Sequence, residues 1–183
     1  MTEPDDEAPE RLEVVFSPEE IAARITVVAA EIVRRRFDRL LVVAVLKGSF
    51  VFAADLIRAM HRAGLSPEVD FLTLSSYRRG TISSGQVSIT RDIESDVRGR
   101  NVLIVDDILE SGRTLAFAKD LIVARGAKNA VTCVLLDKRV KRAAAIEADI
   151  KAFDCPNVFV VGYGMDVANR FRELPYVGRL VRE

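Results

Sequence analysis

The run Leu40-Leu41-Val42-Val43-Ala44-Val45-Leu46 contains no polar position. A strand with one face in water alternates apolar and polar residues. A run apolar on both faces belongs to a central strand covered by helices on each side. Four more strand candidates follow: Val69–Ser75, Asn101–Val105, Ala130–Leu136 and Val158–Val161. Helix-length segments lie between them, Phe50–Arg62 and Thr114–Ala124, the second closed by Arg125-Gly126. An earlier helix is announced by Ser17-Pro18-Glu19-Glu20, which offers a serine cap, proline at the first helical position and a glutamate for a capping box. Its apolar face is Ile21, Ile25, Val28 and Ile32. Strands alternating with helices predict an α/β fold, a mostly parallel central sheet flanked by helices.

With 183 residues, 49% of them hydrophobic, the chain can build one core. A single domain is expected over residues 12–183. Residues 1–11 read as a disordered acidic tail, since the first ten hold five carboxylates and no basic residue. Lys+Arg 27 against Asp+Glu 27 leaves no basic surplus, which argues against a nucleic-acid partner whose phosphates need neutralising. No apolar stretch approaches the roughly 20 residues that cross a bilayer, and the N-terminus lacks the charge of a secretory signal. A cytoplasmic protein without membrane contact is expected. Cys133 and Cys155 form neither a zinc pattern nor a disulfide framework, and Cys133 reads as core.

The stretch from Ser75 to Arg98 interrupts the rhythm with serines and glycines around the alternating Gln86-Val87-Ser88-Ile89-Thr90. It reads as a long hairpin arm with the role of a lid.

Open parallel sheets bind ligands beyond the carboxyl ends of their strands. The first strand ends in Leu46-Lys47-Gly48-Ser49. The middle one runs into Asp106-Asp107-Ile108-Leu109-Glu110-Ser111-Gly112-Arg113-Thr114, and the last into Gly162-Tyr163-Gly164-Met165-Asp166. Two adjacent carboxylates at a buried strand end need a metal ion, hydroxyls or amides to balance them. Ser111 to Thr114 bring small residues, hydroxyls and free amides to a helix N-terminus, a cradle for phosphate without Walker A spacing. An acidic pair followed by such a cradle suits a sugar phosphate.

The segment Val102 to Leu115 resembles the phosphoribosyl pyrophosphate (PRPP) signature of the type I phosphoribosyltransferases. Leu46-Lys47-Gly48-Ser49, Ser75-Ser76-Tyr77, Leu136-Asp137-Lys138-Arg139 and Val158 to Asp166, followed by Phe171-Arg172, are similar to the hypoxanthine–guanine branch, in that branch's order. The resemblance implies the following roles. Lys47 and Gly48, after a cis peptide, hold pyrophosphate together with Arg172. Asp106 and Asp107 face the ribose hydroxyls and a magnesium shell, and Asp166 ligates a second Mg2+. Ser111, Gly112, Arg113 and Thr114 take the 5′-phosphate, while Ser76 and Tyr77 ride on the lid. Lys138 reads the purine 6-oxo group, Phe159 stacks on the ring, and Val160 offers backbone contacts. A small hood on the domain and homodimers or homotetramers are implied as well.

The implied function is purine salvage. A 5-phosphoribosyl group passes from PRPP to hypoxanthine and/or guanine, giving IMP or GMP and pyrophosphate. One position departs from the family: Glu110 stands where an aspartate handles the proton on purine N7. That substitution keeps open an alternative, a weakly catalytic or non-catalytic PRPP- or nucleotide-binding regulator on the same fold. A phosphoacceptor receiver is excluded, because receivers place their acidic pair near the start of the chain. Taken without the resemblance, Lys138 reads as a solvated strand-end lysine, Phe159 as core, and His61 as a helix-end residue.

Overall fold

The computed structural model describes residues 11–79 and 82–181, with the side chains of 76–79 and 82–86 left aside. The expected acidic tail lies outside the described residues up to position 10. Arg11 already opens the first strand, β1 (Arg11–Phe16).

Helix α1 (Pro18–Arg34) starts as its sequence dictates. Glu20 N donates to Ser17 Oγ at 3.2 Å, and Ser17 N donates to Glu20 Oε2 at 2.8 Å, closing the capping box. Then come β2 (Leu40–Leu46), α2 (Phe50–Arg62), β3 (Glu68–Arg79), β4 (Ile82–Arg91), β5 (Asn101–Leu109), α3 (Arg113–Ala124) and β6 (Asn129–Lys138). The chain finishes with β7 (Ile150–Cys155), β8 (Val160–Val161) and β9 (Val177–Val181). The main sheet has the order β4-β3-β2-β5-β6-β7, parallel except for β4, which returns antiparallel to β3 at one edge.

The unalternating run is explained by its two neighbours. Leu40, Val42 and Ala44 pack with α1 and α2 residues such as Ile25, Ile32, Phe52 and Leu56. Leu41, Val43 and Val45 point the other way, into a second core with Leu115, Ala118 and Ile122 of α3. Both faces are dry, so no position in β2 can be polar.

One strand assignment is corrected. Val158–Val161 is not a fifth parallel strand; only Val160 and Val161 are extended, and they join a separate antiparallel sheet of order β1-β9-β8. The fifth parallel strand is β7, which pairs with β6. β7 is an edge strand with only part of its surface covered, its residues Lys151 and Asp154 exposed to or near solvent. Mixed polarity of that kind carries a weak strand signal. The small sheet forms the hood; it is tied to the main body by Phe16 of β1 stacked on Phe153 of β7, with centroids 4.3 Å apart.

The expected arm is a hairpin of β3 and β4. Its base is fixed by Asp70, whose carboxylate accepts from the amides of Phe71, Glu94 and Ser95 at 2.7–2.9 Å. The side chains of Ser76 and Tyr77 lie outside the described residues. No described helix is long and apolar enough to cross a membrane.

Candidate active site

A cavity of about 260 Å³ opens at the carboxyl ends of β2 and β5. Lys47, Gly48, Asp106, Asp107, Glu110, Ser111, Gly112 and Thr114 all line it. A larger cavity of about 830 Å³ lies between α1, α2 and the segment 172–175, but it is largely apolar and lacks the acidic pair. The chemistry therefore belongs to the smaller one.

β5 is longer than its apolar run suggests. The ladder to β6 continues through Asp106 opposite Val134 and Leu109 opposite Asp137, so the acidic pair stands on the strand rather than beyond it. Asp106 is buried. Each carboxylate engages the next amide, and the two side chains engage each other: Asp107 N donates to Asp106 Oδ1 at 3.0 Å, and Ile108 N donates to Asp107 Oδ1 at 2.9 Å. Burial, reinforced by the neighbouring Asp107, pushes the Asp106 carboxyl well above the usual range. Burial raises Asp107 too, against the hydrogen bonds from Asp106 and the Ile108 amide. A cation or a set of hydroxyls would restore the charged forms, so the donor set fits a hard divalent ion. Among the described residues no three acidic, histidine or cysteine side chains form a ready cage. Asp166 is instead held by Arg172 Nη2 at 2.8 Å and by Asn169 N at 2.7 Å.

The Leu46–Lys47 peptide bond is cis. A side chain at Gly48 would collide with Asp107 Oδ2 and push that carboxylate aside, so glycine keeps this turn against the acidic pair. On the far side, Gly112 caps α3 with φ of 78°, a left-handed conformation suited to glycine. The segment after β6 backs the Ser111–Thr114 turn, a support that the sequence does not announce. Ala143 N and Ala144 N donate to Ser111 O at 2.9 and 3.1 Å. Arg142 holds that segment by pairing with buried Asp137 and donating to Ile146 O at 2.7 Å. Nothing in the spacing around Arg142 singles it out.

Lys138 is buried, not solvated, and its ammonium donates to Glu110 Oε1 at 2.9 Å. The two side chains are unequal: Lys138 is 7% exposed and Glu110 is 53% exposed. Phe159 is likewise not core; at 56% exposed it offers a ring to solvent. Val160 is buried next to it in the hood. These two lie outside the lining of the 260 Å³ cavity. His61 lies in the last turn of α2, as its sequence position suggests.

A model of the phosphoribosyl transferase domain matches residues 15–168. The hypoxanthine phosphoribosyltransferase of Escherichia coli is 40% identical over 173 residues, covering 93% of this chain and 96% of that protein. The chain belongs to the hypoxanthine phosphoribosyltransferase family. The bifunctional protein TilS/HprT of Listeria innocua is 46% identical over 171 residues, and there the match spans only 26% of the relative's length. Among solved structures, the hypoxanthine phosphoribosyltransferase of Trypanosoma cruzi in complex with the product IMP is 35% identical, with a TM-score of 0.85 and 98% of each chain covered.

Proposed function

We propose that the chain transfers the 5-phosphoribosyl group of PRPP to hypoxanthine and/or guanine, giving IMP or GMP and pyrophosphate. The observation that carries this is the single cavity in which Lys47-Gly48, Asp106-Asp107 and the residues Ser111, Gly112 and Thr114 converge, with Lys138 joined to it through Glu110.

As the bond from C1′ to pyrophosphate breaks, positive charge develops on the ribose and negative charge on the leaving group. Asp106 and Asp107 hold the ribose hydroxyls and would hold one Mg2+, and Asp166 would hold a second. Magnesium, when bound, neutralises the leaving pyrophosphate. Lys47, the Gly48 amide and Arg172 stabilise the same charge. The amides of residues 111–114 anchor the 5′-phosphate at the start of α3. Lys138 donates to the purine 6-oxo group and meets adenine's 6-amino group donor to donor. Phe159 stacks on the ring and Val160 supplies backbone contacts. Glu110 handles the N7 proton. Ser76 and Tyr77, on the arm, keep water from replacing the purine as nucleophile. The regulatory alternative is not favoured, because the matched relatives are phosphoribosyltransferases by name and one of the solved structures holds the product IMP.

Mixing the protein with magnesium, PRPP and hypoxanthine is expected to give IMP and pyrophosphate in equal amounts, followed by absorbance. Chelating the magnesium should lower turnover at least about 10²-fold. No IMP from the magnesium-loaded mixture would contradict the proposal.

A further inference from the structure

We propose that Tyr163 and Asp55 form a positioning link that presses the Gly162–Asp166 loop against the Lys47-Gly48 turn and thereby sets the grip on pyrophosphate. The inference rests on the reading that Lys47, Gly48 and Arg172 take the pyrophosphate end of PRPP.

Asp55 sits on α2, the helix that begins directly after the turn. Its Oδ2 accepts a short hydrogen bond from the hydroxyl of Tyr163, 108 residues away in sequence. Its Oδ1 accepts from Arg58. Tyr163 is only 6% exposed. Burial, then the bond to Asp55, pushes its hydroxyl up, which keeps it a donor. The Tyr163 backbone lies at φ of 51°, between Gly162 at 94° and Gly164 at 100°. A bulky residue holds that left-handed conformation only where its surroundings enforce it. Two contacts enforce it here, the hydroxyl on Asp55 and Tyr163 N donating to Leu174 O at 2.9 Å.

The next residue shows the consequence. A side chain at Gly164 would strike the carbonyl oxygen of Gly48, so the two backbones touch. Gly164 O accepts from Arg172 Nη1 at 2.7 Å, and Gly164 N donates to Arg172 O at 3.0 Å. The one loop thus backs Gly48 and aims the Arg172 guanidinium. Tyr163 and Asp55, like Arg172, line the 830 Å³ cavity rather than the 260 Å³ one, and the Tyr163 hydroxyl is turned to Asp55, so the pair acts on the turn through the loop.

The test is Tyr163→Phe, which removes one oxygen and keeps the buried ring. Binding of inorganic pyrophosphate with magnesium is measured by calorimetry, and KM is measured for PRPP and for hypoxanthine. Pyrophosphate affinity and KM for PRPP should each weaken roughly 5- to 20-fold, the scale of one lost hydrogen bond to a charged group and a slightly misplaced clamp. KM for hypoxanthine should stay within about twofold. Asp55→Ala should match Tyr163→Phe, and the double variant should be no worse than either. Asp55→Asn keeps an acceptor and should largely restore binding; it also carries the comparison if Tyr163→Phe fails to fold. Unchanged pyrophosphate affinity in a folded Tyr163→Phe protein, or equal weakening toward both substrates, overturns the link alone. If the parent protein binds no pyrophosphate, the assignment of Lys47, Gly48 and Arg172 falls and takes the link with it.

Discussion

Glu110→Gln is expected to lower kcat/KM for hypoxanthine about 10²- to 10⁴-fold, the usual contribution of a positioned general acid–base. The structure gives this residue a second duty that the test must separate. Glu110 is the hydrogen-bonded partner of buried Lys138, and leaving a buried ammonium unpaired is costly. Glutamine still offers a carbonyl oxygen to that ammonium, so the protein should stay folded and retain most of its base affinity. What glutamine cannot do is accept a proton. The loss in Glu110→Gln should therefore fall on kcat, with KM for hypoxanthine little changed, and Glu110→Asp should keep activity. A glutamine variant with parental turnover would show that the carboxylate only holds Lys138.

Lys138→Ala should raise KM for hypoxanthine roughly 10- to 100-fold, which is what losing a charged hydrogen bond of about 1.5–3 kcal/mol amounts to. KM for PRPP should change little, since the phosphate cradle and the acidic pair do not touch Lys138. The effect on stability should be small as well. The glutamate left behind is 53% exposed and can be hydrated, unlike a buried partner. Steady-state kinetics with each substrate varied in turn separates the two constants. An equal rise in both would mean that Lys138 braces the site as a whole rather than reading the base.

The parts of this molecule readable from the chain alone are those with a local cause. Ser17 and Glu20 close their capping box because both partners lie within one helical turn. β2 had to be central because seven apolar positions leave no wet face, and six of them are buried. The acidic pair and the phosphate cradle are contiguous in sequence, so their spacing survives folding intact. What escaped depends on contacts between distant segments. β7 carries the mixed polarity of an edge strand, and its place beside β6 is decided by the sheet, not by its own six residues. Phe159 sits in an apolar run, yet the short β8 turns it out to 56% exposure. Lys138 looks like a solvated strand end until Glu110, 28 residues earlier, is brought to it. Arg142 behind the phosphate cradle and Asp55 behind Tyr163 have no local signature at all; only the fold assembles them.

Selection among purines tests the proposed chemistry most directly, because it depends on Lys138 facing the 6-position with PRPP and magnesium in place. The protein is assayed with magnesium, PRPP and, in separate reactions, hypoxanthine, guanine, xanthine and adenine. Nucleotide should form from at least one of the two bases hypoxanthine and guanine, and none should be detectable from adenine. Adenine turned over as fast as hypoxanthine would contradict both the role of Lys138 and the function built on it.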